Sequence, residues 1–260
     1  MIHTGLVSVT FRKLSPEEIV GLAVEAGVQA IEWGGDIHVP HGDTQRATYV
    51  RRLTQEAGLE IPSYGSYYRV GHEEPCPFHD VLETALALGA RIIRVWAGRV
   101  GSEDADAAYW RRVIEDSVRI GNLAQEAGLV VAYEYHGHTL TDTLDAALRL
   151  LEEVNHPAVL SHWQPRDRLG PTENLAELRA LLPWVRVVHV QSVTRVGEAL
   201  ERRSLAESAE AWRDYLSVLG GRPGPYYALI EFVRHDQPAQ FLADAATLKG
   251  LVAPFASQGD

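Results

Sequence analysis

A chain of 260 residues has room for one large hydrophobic core, and its 46% hydrophobic and 23% charged residues are ordinary for a globular protein. A formal net charge of −11, with no Lys/Arg run interleaved with aromatics, argues against nucleic acid as a partner. No apolar run approaches the roughly 20 residues that cross a bilayer, so a membrane is not an expected partner either.

Met1 to Ser15 holds a first strand at Gly5 to Val9 and lacks the charged head, apolar middle and small-residue exit of a secretory signal; the expected location is cytoplasmic. Ser15 and Glu18 make a capping box that opens a helix running to Ala26. Gly27 ends it, and a strand follows over Val28 to Trp33. The same helix, Gly stop and buried strand recur: Glu56-Ala57-Gly58 before a strand at Leu59 to Tyr64, Ala87-Leu88-Gly89 before Arg91 to Trp96, and Glu126-Ala127-Gly128 before Leu129 to Tyr135. These glycines stand 31, 31 and 39 residues apart, the length of one β/α unit. Further strands are predicted at Ala158 to Trp163, Arg186 to Val190 and Tyr226 to Phe232. Helices are predicted at Ala107 to Ala127, at Thr141 to Val154 with Thr141 or Asp142 as cap, and at Gln237 to Val252, followed by a frayed tail from Pro254 to Asp260. Eight alternations without a linker predict one α/β domain over 1–260, a closed (β/α)8 TIM barrel. Cys76, the only cysteine, excludes an internal disulfide and a thiolate metal cage, and is expected to pack inertly.

Helix-to-strand connections are short, whereas the strand-to-helix loops Gly34 to Asp43, Gly65 to Phe78, Gly98 to Asp106, Pro165 to Glu173 and Ser192 to Ser204 are long. Chemistry is therefore expected on that rim. Polar residues end the last four strands: Glu134 in Tyr133-Glu134-Tyr135-His136, Gln164 after His162-Trp163, His189 in Val188-His189-Val190, and Glu231 in Ile230-Glu231-Phe232. A carboxylate in so apolar a run is costly unless neutralised, and two that converge with a histidine and an amide suggest one divalent cation. Such a mostly oxygen set suits Mn²⁺ or Mg²⁺ and accommodates Zn²⁺ or Co²⁺. The bland alternatives are ion pairs of Glu134 or Glu231 with Arg94 or Arg195, a core histidine at 189, and an amide at 164 that ties down a loop. His136, His138, Arg195, Trp33, Trp96 and Tyr64 are candidate substrate contacts, the two tryptophans alternatively plugging the barrel mouth. Glu32 either orients a ligand or makes a strand-end ion pair.

These segments resemble the xylose-isomerase-like barrels of sugar isomerases and epimerases, a family that includes tagatose and psicose epimerases, hydroxypyruvate isomerases and inosose dehydratases. The likeness rests on Ile31-Glu32-Trp33-Gly34-Gly35-Asp36-Ile37-His38, Tyr133-Glu134-Tyr135-His136-Gly137, Val188-His189-Val190 and Leu229-Ile230-Glu231, and spans nearly the whole chain. It implies metal ligands at Glu134, Gln164, His189 and Glu231. Gln164 stands where the family more often has Asp, which leaves His162 as the alternate ligand. The resemblance further implies that Glu134 and Glu231 transfer protons in a sugar or sugar phosphate isomerase or epimerase. An inosose-type dehydratase, a metal-free ligand-binding barrel and an endonuclease similar to the apurinic-site nucleases are the competing readings. Arg99, Arg166, Arg168 and Arg195 lie in loops, either as contacts for a substrate phosphate or as ordinary surface arginines, so the sequence leaves phosphorylation of the substrate open. A homodimer or homotetramer is the expected assembly, with aromatics near Tyr67 and Tyr68 exposed for it.

Overall fold

The structure, a computed structural model, describes residues 1–255. Eight strands close into a barrel in the order β1 (Ile2–Val7), β10 (Tyr226–Ile230), β7 (Val185–Val190), β6 (Val159–Trp163), β5 (Val130–Glu134), β4 (Ile92–Trp96), β3 (Ser63–Arg69) and β2 (Ala30–Gly34). Eight helices alternate with them: α1 (Pro16–Ala26), α2 (Thr44–Glu56), α3 (Phe78–Leu88), α4 (Ala107–Glu126), α5 (Leu144–Val154), α6 (Pro171–Leu181), α7 (Ala209–Gly220) and α8 (Pro238–Val252). The chain divides into two compact units, one of Met1–Glu32, Leu53–Glu60 and the residues from Trp163 onward, the other of Trp33–Arg52 and Ile61–His162.

In the first unit, β1 runs parallel to β10, with Gly5 opposite Leu229. Glycine is required at this point: a Cβ on Gly5 would lie 2.4 Å from the Ala30 carbonyl oxygen and 2.5 Å from Leu229 Cδ2. Leu6, Ile19, Leu216, Phe241 and Leu248 are fully enclosed and join these strands to α1, α7 and α8. In the second unit, β3, β4, β5 and β6 pair in parallel. Val81, Ile93, Val113, Val131 and Leu150 bury their side chains between that sheet and α3 to α5, and the Tyr133 hydroxyl donates to Ser117 of α4.

The expected stops hold. Ser15 and Glu18 form both halves of the capping box on α1, and Gly27, Gly58, Gly89 and Gly128 all adopt positive φ.

Several boundaries differ from the sequence reading. The third strand lies at Ser63–Arg69 rather than Leu59 to Tyr64, because Gly65 is not a stop but the start of a register shift against β4 that ends at Tyr68. The first strand ends at Val7, and a 3-10 helix over Ser8–Phe11 follows. Thr143, not Thr141 or Asp142, caps α5 by accepting from the Ala146 amide; Thr141 instead donates from its hydroxyl to the Glu134 carbonyl. The Ser192 to Ser204 loop contains an antiparallel hairpin, β8 (Val193–Val196) and β9 (Ala199–Arg202). Pro254 and Phe255, placed in the tail, belong to a 3-10 helix, and the Phe255 ring closes on Gly220; the rest of that tail lies outside the described residues. Tyr68 is not an exposed aromatic: it is buried, and Arg119 donates to its hydroxyl at 3.1 Å. Among the described residues no helix is long and apolar enough to cross a membrane.

Candidate active site

β10 and β7 lie side by side, with Leu229 opposite His189 and Ile230 opposite Val190. Since side chains alternate along a strand, His189, Gln191 and Glu231 face the same side. His189 is enclosed between two carboxylates: Nε2 lies 3.4 Å from Glu32 Oε2, and Nδ1 lies 3.5 Å from Glu231 Oε2. The Gln191 amide donates to Glu231 Oε2 at 2.5 Å and to Gln164 Oε1 at 2.7 Å, so Gln164 joins this row through Gln191. Trp212 Nε1 donates to the Gln191 carbonyl at 2.9 Å and fixes the strand end.

Burial opposes a charged imidazole at His189, but the carboxylates of Glu231 and Glu32 outweigh it and push the group up to about 10. The metal-free imidazole therefore holds a proton that a cation has to displace. Between pH 6 and 9, which lies below that value, divalent-metal affinity measured by calorimetry is expected to rise about tenfold per pH unit, with one proton released per ion bound. Affinity independent of pH across this window would remove His189 from the ligand set.

In the second unit, Glu134 ends β5 with its carboxylate buried. Arg94 and Trp96, both from β4, donate to the same oxygen, Oε2, the indole at 2.5 Å. Among the described residues nothing bonds to Oε1. The Arg94 guanidinium also lies over the Tyr67 ring, 4.9 Å from its centroid, and His136 stacks on Trp96 at 4.6 Å and 20°. His136 Nδ1 donates to the Gly137 carbonyl, 2.7 Å away. His162, opposite Glu134 in the β5–β6 register, is buried on the same side as that carboxylate.

The remaining candidates make other contacts. Trp33 and Tyr64 have no exposed surface, so neither offers a ring face to a substrate. Trp33 meets His38 edge-on at 5.8 Å, and the Tyr64 hydroxyl donates to the Val39 carbonyl at 2.7 Å. Arg195 projects from the exposed hairpin and pairs with Asp167, while His138 is exposed in a left-handed backbone conformation. Of the loop arginines, Arg166 is held by Glu177 and Arg99 by Glu74.

Buried residues of ligand type are Glu32, His189 and Glu231 in the first unit and Glu134 and His162 in the second. In the first unit the carboxylate oxygens of Glu32 and Glu231, the His189 imidazole and the Gln164 amide oxygen are donors that suit a hard divalent cation; in the second, Oε1 of Glu134 is left open by Arg94 and Trp96. Sequence reasoning missed Gln191 and gave Glu32 too little weight. The signal was present in both cases: Gln191 is two residues beyond His189, hence on its face, and Glu32 is a carboxylate inside an apolar strand.

The family described as xylose isomerase-like TIM barrel matches residues 20–248. The chain belongs to that family. It is 28% identical, over 73% of its length and 71% of the relative's, to a 3-dehydroshikimate dehydratase of Bacillus anthracis. Among solved structures, the probable 3-DHS dehydratase AsbF of Bacillus anthracis superposes with a TM-score of 0.78 at 20% identity, covering 96% of this chain and 99% of that one. A xylose isomerase-like TIM barrel protein from Mycobacterium smegmatis, solved in complex with magnesium, gives 0.72 at 18% identity, covering 98% of both chains. Members of this fold thus include a dehydratase and a magnesium-bound protein, and this chain carries buried Glu and His residues able to hold a metal ion.

Proposed function

We propose that this protein is a divalent-metal-dependent dehydratase acting on a hydroxylated carbonyl compound of the 3-dehydroshikimate kind, with Glu134, Gln164, His189 and Glu231 holding one Mn²⁺ or Mg²⁺ ion per chain. The observation that carries the reading is the buried row Glu231–His189–Glu32, extended through Gln191 to Gln164. The relative named as a dehydratase supports water loss over the isomerase or epimerase reading of the sequence. Both reactions begin alike, with removal of a proton beside a carbonyl, so the same carboxylates serve either.

When bound, the ion supplies positive charge that favours loss of that proton. Glu231 takes the proton from the carbon beside the carbonyl. The hydroxyl on the next carbon leaves with its bonding electrons, gains a proton and departs as water. His136 as the imidazolium is the donor: its Nδ1–H stays on the Gly137 carbonyl while its Nε2–H, which has no partner among the described residues, gives up its proton and leaves the neutral ring. Glu134 acts as a fixed ligand rather than a second proton carrier, because Arg94 and Trp96 both hold its Oε2.

The test is incubation of 3-dehydroshikimate with the purified protein and added Mn²⁺ or Mg²⁺. Formation of 3,4-dihydroxybenzoate, abolished by a chelator and restored by metal, is the expected result. No water loss under these conditions, with epimerisation of a ketose such as D-fructose instead, would return the protein to the epimerases.

A further inference from the structure

Arg69 is the last residue of β3 and sits opposite Trp96 in the β3–β4 register. Its guanidinium lies over the Trp96 ring, 3.9 Å from the centroid, which fixes the plane of the fork. The same indole donates to Glu134 and stacks on His136, so Arg69 is one ring away from the second cluster of the candidate site, and its charge interacts with that of Glu134. Among the described residues no carboxylate pairs with Arg69. Its hydrogen-bond partner is the Gly98 carbonyl, at 3.4 Å, a weak contact for a half-buried guanidinium.

The surrounding charges define what is missing. Arg99 lies near Arg69 but is already paired with Glu74 at 2.7 Å. His72 is bonded to the Tyr109 hydroxyl at 2.9 Å, and burial, followed by Arg99 and Arg112, lowers its pKa below the usual histidine value. Arg69 is left without a carboxylate in contact, since Glu74 and Glu134, which attract it from a distance, are bonded to Arg99 and to Arg94 and Trp96. A single planar fork of N–H donors matches a carboxylate in shape and charge, whereas a phosphate dianion calls for more positive charge than this group supplies.

We propose that Arg69 is a substrate-binding residue that anchors a carboxylate of the substrate, so that the protein acts on hydroxylated keto acids rather than on neutral sugars. This rests on the reading above in one respect, that the substrate lies beside Glu134.

Calorimetry on the metal-loaded protein, with 3,4-dihydroxybenzoate, its methyl ester and inorganic phosphate as probes, tests the assignment. The acid is expected to bind at least about tenfold more tightly than the ester, and Arg69→Met to weaken the acid about 10- to 100-fold while leaving the ester unchanged. Arg69→Lys keeps the charge without the fork and is expected to recover part of the loss; it also guards against a folding defect, alongside melting temperatures of both variants. Equal binding of acid and ester, no binding of the acid, or an acid affinity indifferent to Arg69→Met would overturn the proposal, and phosphate binding more tightly than the acid would replace carboxylate by phosphate. Arg69-dependent binding of the acid without any turnover of 3-dehydroshikimate sinks the dehydratase reading and leaves the anchor standing. Turnover with Arg69-independent binding does the reverse.

Discussion

Replacing Glu231 by Gln is expected to lower turnover of 3-dehydroshikimate by about 10²- to 10⁴-fold, the range lost when a positioned proton acceptor is removed. The substitution preserves size, and one amide oxygen can still accept from the Gln191 side chain that now donates to Oε2 at 2.5 Å. The fold should therefore survive, with an unchanged far-ultraviolet spectrum. His189 loses one of its two carboxylate neighbours in this variant, so the metal should also bind more weakly. A rate within threefold of wild type at saturating metal would show that the proton goes elsewhere, and Glu32, on the other side of the same imidazole, would be the next carboxylate to test.

Arg94→Met is expected to produce the largest loss of stability among single changes at the site, about 3–5 kcal/mol, because it leaves the Glu134 carboxylate buried without its partner. For a chain of this length that is a fall in melting temperature of roughly 10 °C. Methionine fills much of the same volume and keeps an apolar contact with Tyr67, which isolates the electrostatic part of the effect. Added Mn²⁺ should restore some of the lost stability, since an ion on Glu134 supplies the missing positive charge and favours the folded protein. A shift below about 2 °C in the absence of metal would mean that Glu134 is well compensated by Trp96 alone.

The barrel was legible from the sequence because its punctuation is local. A capping box at Ser15 and a glycine ending each repeat depend on a few neighbouring residues, and both appear where expected. The third strand was misplaced for the opposite reason. Gly65 reads as a stop, but pairing with β4 carries the strand through a register shift to Arg69, and that partner is 27 residues away in sequence from Arg69 to Trp96.

At the site, residue identity was more legible than partnership. Glu134, His189 and Glu231 stood out as polar groups in apolar strands, and Arg94 was named as a competitor for Glu134. Nothing in the linear order indicated that Gln191 would bridge Gln164 and Glu231, or that one indole would serve Arg69, His136 and Glu134 together. Trp33 and Tyr64 were singled out by their place at strand ends, but the alternation of side chains sends them into packing against Val39 and His38.

The left-handed turns at Gly27, Gly58, Gly89 and Gly128 have an evolutionary corollary. They keep the helix-to-strand connections short and intolerant of insertion, so sequence drift there acts on stability. The strand-to-helix loops are free to grow without re-specifying how the scaffold closes, as the hairpin inserted at Val193–Arg202 illustrates.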